Sequence, residues 1–358
     1  MAGVHRARLI SNFLPDLGWH PIVLTVKPEF YEEKPDPDIL KTVRESTEVI
    51  LVNAKAVKSS SRLIGDIGLR AFSHLKKRAL EIIAERQIDF IWIPIPSFYM
   101  AILGRQLYEK TSTPYGIDYI DPWVDSFVGQ EKLFSKAWLS NMAAKIMEPY
   151  SVKKAALITG VATSYYQPVI DRNFKNKKIA HVGMPYGFDP KDHEIEIDGL
   201  EYPWEKYGTD VEAYIYAGAF LPKSHLFLRL LLKSIKKLKV DGNWPDNKML
   251  FFLGTGTYPG KRISEYAKEY GLEDTVLEIP QRFPFLHILN FLSAAKGIIV
   301  LGSTEKHYTA SKIFQSLLSQ RPVFAIFHHQ SSAVQIMQEC DADKFLCIYN
   351  THEAKQEL

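Results

Sequence analysis

Cysteine is scarce: among 358 residues only Cys340 and Cys347 occur. Two are too few for a disulfide framework, so the reducing cytoplasm is the expected compartment. Long apolar runs are missing as well. No stretch approaches the ~18–20 residues that cross a bilayer, and the first residues lack the apolar core of a signal peptide. Neither sign of charge dominates: the formal net charge is +3, too small to point to nucleic acid. Motifs with a fixed chemistry are also absent. There is no Gly-x-Ser-x-Gly elbow, no phosphate-loop lysine and no His-Glu-x-x-His, and the 11 histidines show no zinc-like spacing with cysteines or carboxylates. Serine-hydrolase, P-loop and zinc-protease functions fall away, and neither a metal site nor a bound cofactor is expected.

Apolar residues make up 46%, charged residues 24% and aromatics 12%, the balance of a well-buried globular chain rather than a disordered one. The length suits two domains, because single cores stop growing near ~250–300 residues. Short apolar runs at 21–26, 49–52, 89–93, 155–159 and 179–182 alternate with stretches of helical periodicity, and another run ends at Asp118. The alternation restarts with runs at 213–217, 248–253, 276–279, 297–301, 322–327 and 345–349. Strands alternating with helices imply parallel βαβ units. Between the two series, an acidic segment with Pro190 and Pro203 reads as a hinge. The expected organisation is an N-terminal Rossmann-like domain over 1–190, a linker over 191–210 and a C-terminal Rossmann-like domain over 211–358. A doubly wound sheet opens with a strand, whereas this chain enters a helix directly and stops without an obvious closing helix. A sequence cut at both ends is therefore expected.

Ligands of such sheets bind at the carboxyl ends of the strands, so polar or glycine-rich loops there are the candidates. Residues 303–312 follow one strand and enter a helix, placing Thr309, Ser311 and Lys312 where backbone N–H groups, hydroxyls and a cation could meet phosphate. A plainly capped helix start explains the same residues equally well. Tyr216-Ala217-Gly218-Ala219 ends another strand. Gly218 would admit a close ligand and Lys223 could reach its phosphates, or the turn is an ordinary one. Asp118 and Asp121 stand three apart at a strand end, suited to acid–base work or to turn chemistry before Pro122. Arg6 could bind an anion or simply be solvated. The basic, amphipathic stretch 55–86 could rest on an anionic membrane or pack on its own sheet.

Taken in order, several of these pieces resemble the glycosyltransferase family 4-like proteins of the GT-B fold. They are Gly3-Val4-His5-Arg6, Gly18-Trp19-His20-Pro21, Asp118-x-x-Asp121-Pro122-Trp123, Pro185-Tyr186-Gly187-Phe188-Asp189, Tyr216-Ala217-Gly218, Ser311-Lys312-Ile313-Phe314-Gln315 and Arg321-Pro322-Val323. The resemblance implies two Rossmann-like α/β domains facing across a cleft. It also implies metal-independent, retaining transfer of a sugar from a nucleotide-diphosphate donor to a glycan or lipid-linked acceptor, in cell-surface polysaccharide synthesis. Lys223 and Lys312 would hold the diphosphate and Asp118 and Asp121 would serve the acceptor side. Gly3, Arg6, Gly218, Arg282, Phe283, His307, Thr309, Ser311 and Gln315 would line the donor. A cytoplasmic protein with peripheral contact at the inner membrane surface, and without nucleic acid, is the implied setting. Ala219 stands where the family often has Arg or Lys, and His307 and Gln315 stand where it has two glutamates. These departures keep open a sugar-nucleotide-binding relative without turnover, beside a nucleotide-sugar epimerase of the same fold.

Overall fold

The computed structural model describes residues 2–32, 36–56, 66–124, 135–175, 177–258, 260–304 and 311–357. The chain divides into two compact units, one of Met1–Pro35 with Val43–Gly187 and one of Asp36–Thr42 with Phe188–Leu358. In chain order the first unit holds α1 (Ala2–Phe13), β1 (Ile22–Val26), β2 (Glu48–Val52), α2 (Ile67–Glu85), β3 (Ile91–Ile95) and α3 (Met100–Thr111). It continues with β4 (Tyr115–Tyr119), α4 (Lys136–Val152), β5 (Leu157–Gly160), α5 (Thr163–Asn173) and β6 (Ala180–Gly183). After α1 a 3-10 turn stops at Gly18, whose left-handed backbone (φ 81°) lets its N–H reach the carbonyls of Leu14 and Pro15. β1 and β2 form a parallel pair, and β3-β4-β5-β6 form a parallel four-stranded sheet. Among the described residues β1 pairs only with β2 and β3 only with β4, while α1 packs against both β1 and β3.

The basic stretch that could have met a membrane becomes α2, capped by Asp66, whose carboxylate accepts from Leu69 N–H. Its Ala71, Leu75, Ile67, Phe72, Leu80 and Ile83 pack with Val26 and Leu103 in one apolar cluster. That apolar face is consumed by the unit's own sheet and helices, so the described part of the stretch keeps only its polar face outward. Among the described residues no helix is long and apolar enough to cross a membrane.

The second unit holds β7 (Glu212–Ala217), α6 (His225–Val240), β8 (Lys248–Leu253), α7 (Ile263–Tyr270), β9 (Val276–Ile279) and α8 (Phe285–Ala294). Then come β10 (Gly297–Leu301), α9 (Lys312–Leu318), β11 (Val323–His328), α10 (Ser332–Glu339), β12 (Leu346–Tyr349) and α11 (Thr351–Gln356). Its six strands lie parallel in the order β12-β11-β10-β7-β8-β9. Continuous apolar runs such as Met249–Leu253 suit strands covered on both faces. Ile215, Phe251, Val300 and Phe327 fill one side of the sheet, and Tyr216, Phe252, Leu301 and Ile326 fill the other. The whole architecture is α/β with two Rossmann-like units, as expected from the alternation.

The boundary between the units lies at Gly187/Phe188, and the segment read as a linker belongs to the second unit. Its Ile195, Ile197, Leu200, Tyr202 and Trp204 pack on the core, and Asn290 of α8 bonds both Ile195 O (2.8 Å) and Ile197 N (3.1 Å). Residues Asp36–Thr42 also join this unit: the Asp36 carboxylate accepts from Phe285 N–H, the first of α8, at 2.7 Å. The final residues form α11, closed by a reciprocal capping box between Asn350 and Glu353.

Candidate functional site

In the six-stranded sheet the chain steps one way through β7, β8 and β9 and the other way through β10, β11 and β12. The winding reverses between β7 and β10, and the connections there leave on opposite faces, opening a crevice beyond the strand ends. The loop after β7 flanks it on one side and the loop beginning at Gly302 on the other. The two are fastened together. Thr304 N donates to Lys223 O at 3.1 Å, and Ser224 Oγ donates to Gly302 O at 2.6 Å.

Lys312 reaches into this corner from the start of α9. Its Nζ donates to Tyr216 Oη (2.5 Å) and Ala219 O (3.2 Å) and lies 3.9 Å from the centroid of the Tyr216 ring. Tyr216 in turn donates its hydroxyl to Ala219 O at 3.0 Å. Burial pushes the pKa of Lys312 down to about 7, and no carboxylate among the described residues holds it up. The backbone of Gly218 passes beside the ammonium at φ 109°, and a Cβ there would lie 3.8 Å from Nζ. Only glycine tolerates that φ without strain, and its missing side chain keeps the approach to the cation open. α9 has seven residues, and Ser311 adopts helical angles with no side-chain cap. Ser311 therefore does not serve as a capping residue, and Lys312, rather than the end of a short helix, is the group here that could meet an anion.

The remaining expected donor residues divide. Lys223 is exposed on the loop after β7. Arg282 is exposed after β9, with its Cα 4.0 Å from where a Gly254 Cβ would stand, so the ends of β8 and β9 meet there. Phe283 turns inward, edge-on to Phe291 at 5.3 Å, and belongs to the core. Gln315 Oε1 lies 2.8 Å from His193 Nε2, whose Nδ1 is 3.4 Å from Ser293 Oγ. Burial lowers the His193 pKa, more than its bond to Gln315 raises it, so the neutral ring donates from Nε2 to the Gln315 carbonyl and leaves the Gln315 amide N–H groups to point elsewhere. His307 and Thr309 lie outside the described residues.

In the first unit, Arg6 and Asp118 meet each other. Arg6 Nε reaches Asp118 Oδ2 at 2.8 Å and Nη2 reaches Oδ1 at 2.9 Å. Thr159 Oγ1 donates to the same carboxylate at 2.5 Å, and Arg6 Nη1 donates to Pro185 O at 2.9 Å. Asp118 is fully buried and Arg6 is 2% exposed, which makes this a buried bidentate pair joining α1, β4, β5 and the chain after β6. Asp121 differs: it is exposed, forms no bond to a described residue, and partial desolvation raises its pKa. Gly3 lies in the first turn of α1, where a Cβ would come 3.9 Å from Pro96 O. Among the described residues no three His, Cys, Asp or Glu side chains converge as a metal site would require.

No family model and no curated protein matches this sequence. Solved structures do match, over nearly the whole chain. The apo structure of OtsA superposes with a TM-score of 0.57 at 11% identity, covering 98% of this chain and 86% of that one. HepE of Anabaena, solved in complex with UDP and glucose, gives a TM-score of 0.53 at 14% identity and covers 94% and 89%. A glycosyltransferase from Rickettsia africae gives 0.53 at 15%, covering 99% and 82%. The chain has the GT-B fold. At these identities the likeness is one of fold, and the chemistry has to be argued from the residues.

Three residues of the GT-B chain that sequence reasoning left without a role help to build the corner. Tyr216 carries the Lys312 ammonium. Its place before Gly218 at a strand end was the available signal. Glu278, whose side chain is 2% exposed, accepts from Arg262 (3.2 Å) and Thr255 Oγ1 (2.9 Å) and so fastens the Gly254–Gly256 turn after β8. His193 fixes Gln315, and nothing in an acidic, aperiodic segment announced it. Chemically, the corner offers one poorly hydrated cation, an unobstructed backbone and polar loops: a receptor for a compact anion such as a phosphate group.

Proposed function

We propose that this chain is a nucleotide-sugar-dependent glycosyltransferase whose second unit binds the nucleotide diphosphate at Lys312. The observation that carries the reading is an ammonium with no carboxylate partner among the described residues, beside Gly218, at the winding reversal of a parallel sheet. HepE, of the same fold, has been solved with UDP and glucose, which supports a diphosphate in that role. In the proposed reaction the bond between the anomeric carbon and the diphosphate oxygen breaks, and an acceptor hydroxyl oxygen bonds to the same face of that carbon. The hydroxyl proton passes to an oxygen of the departing diphosphate, and Lys312 stabilises the charge that develops there. Gln315, held by His193, would meet the ribose through its amide N–H groups, and Lys223 and Arg282 would border the donor. Asp121, an exposed carboxylate at the end of β4 in the first unit, would serve the acceptor, a glycan or lipid-linked saccharide.

A second reading, binding without turnover, is favoured by the apolar Ala219 beside the diphosphate corner and by the mutual engagement of Arg6 and Asp118. A panel of UDP, GDP, TDP and ADP sugars separates the outcomes. A ligand at about 100 times its Kd stabilises the fold by about 2.7 kcal/mol, so one nucleotide class is expected to raise the Tm of the wild type and not that of Lys312→Ala. Product analysis with that donor then shows sugar on an acceptor if the enzyme reading holds, and intact donor if the binding reading does. A folded wild type that responds to none of the four would sink both.

A further inference from the structure

Gln315 follows Lys312 by three residues, on the same face of α9 and about 4.5 Å further along its axis. That is the step from a phosphate to the pentose esterified to it, so with the diphosphate at Lys312 the Gln315 amide meets the pentose edge. What it offers there is decided by its neighbours. Its Oε1 lies 2.8 Å from His193 Nε2, and His193 Nδ1 lies 3.4 Å from Ser293 Oγ. A neutral imidazole has one donor and one acceptor nitrogen, and burial keeps this ring neutral. The polarity of the row follows. The Ser293 hydroxyl donates to Nδ1, Nε2–H donates to Oε1, and the amide N–H groups of Gln315 are the end left to project.

The holder is itself fixed. His193 lies in the 3-10 turn Pro190–Glu194, where the Asp189 carboxylate accepts from Lys191 N at 3.1 Å and Asp192 N donates to Asp189 O at 3.0 Å. Asp189 and Asp192 are both buried, and Asn290 of α8 grips the chain just beyond, at Ile195 and Ile197. Ser293 belongs to the same helix, and its carbonyl accepts from Arg321 Nε at 2.6 Å. A carboxylate at position 315 would accept from the 2′- and 3′-hydroxyls together and hold a ribose by its diol. The restrained amide donates instead, and the 3′-oxygen, common to ribose and 2′-deoxyribose, suffices as its acceptor. Gln315 is half-buried, so its second N–H stays within reach of water and is not stranded when the 2′-oxygen is missing. We infer that His193 is a positioning residue that sets pentose specificity: by holding the Gln315 carbonyl it makes the second unit accept 2′-deoxyribonucleoside diphosphates as readily as ribonucleoside diphosphates. The inference rests on the diphosphate site at Lys312 and adds to it the class of pentose taken.

The test is calorimetric titration of the full chain with matched pairs: UDP and 2′-deoxy-UDP, GDP and 2′-deoxy-GDP, ADP and 2′-deoxy-ADP. In the pair that binds, wild type is expected to hold both members with Kd values within about twofold. Gln315→Glu restores an outward acceptor and should favour the ribose member by about tenfold, as expected for one hydrogen bond to a charged group. The ratio cancels the effect of the new charge on the diphosphate that both members share. His193→Phe releases the amide to turn its carbonyl outward and should favour the ribose member by about threefold. A merely structural His193 would lower both affinities and leave their ratio unmoved. An unchanged Tm verifies the fold of each variant, and Gln315→Glu carries the test if His193→Phe does not fold. A wild type that prefers the ribose member by about tenfold overturns the inference and leaves the diphosphate site standing. So does a ratio near one in Gln315→Glu or in a folded His193→Phe. Failure of every nucleotide to bind removes the diphosphate site, and this inference with it.

Discussion

Asp118 sits fully buried with three donors on its carboxylate, two from Arg6 and one from Thr159. A pair so enclosed is satisfied, and removing one partner strands the other charge in a low-dielectric interior at a cost of roughly 3–5 kcal/mol. Arg6→Ala and Asp118→Ala are each expected to lower the urea midpoint of the first unit sharply. Asp121→Asn, at an exposed position, should stay within about 0.5 kcal/mol of the wild type. If instead Asp118→Ala unfolds at the wild-type midpoint, the pair is not structural and Asp118 returns as a candidate for the chemistry. Lys312 is the contrasting case, a buried cation whose partners among the described residues are a phenol and a carbonyl.

Elements were easier to read than the residues that cap and join them. Each strand of the second sheet was legible within a residue or so, since runs such as Met249–Leu253 admit little else. α5 passed unseen because Pro168 interrupts its periodicity, and α11 because six residues carry too little pattern, although Asn350 and Glu353 hold the spacing of a capping box. The Asp36 contact with α8 could not be foreseen at all: it spans 249 positions, and nothing local marks a carboxylate that caps a distant helix. It satisfies an orphan N–H at the positive end of α8. Asp36→Ala should therefore cost about 1 kcal/mol of stability, read as a lower urea midpoint. An unchanged midpoint would mean the contact is incidental. Within the proposed donor site, Gly218 and Lys312 were legible because strand ends and loop chemistry mark them, while the pairing of Arg6 with Asp118 in the first unit, 112 positions apart, is a product of the fold alone.

At the scale of the molecule, the chain has two Rossmann-like units, and the second contains the corner proposed for the diphosphate. Its electrostatics give a signed prediction. Lys312 has a folded-state pKa lowered to about 7, below its value of ~10.4 in an unfolded chain. Between those values the unfolded state binds more protons, so without ligand this group makes stability rise with pH across that window. A bound diphosphate favours the protonated amine, so binding above pH 7 draws a proton from solution.

The most direct test of the central claim is calorimetric titration of the full chain with a nucleoside diphosphate at pH 6 and pH 9, beside Lys312→Ala. The account predicts tighter binding at the lower pH, with proton uptake on binding at pH 9. It predicts a loss of about tenfold or more at pH 6 in the variant, as expected for one charge-assisted bond, together with loss of the pH dependence that this lysine contributes. Equal affinity of wild type and variant at both pH values would contradict it and remove the diphosphate from this corner.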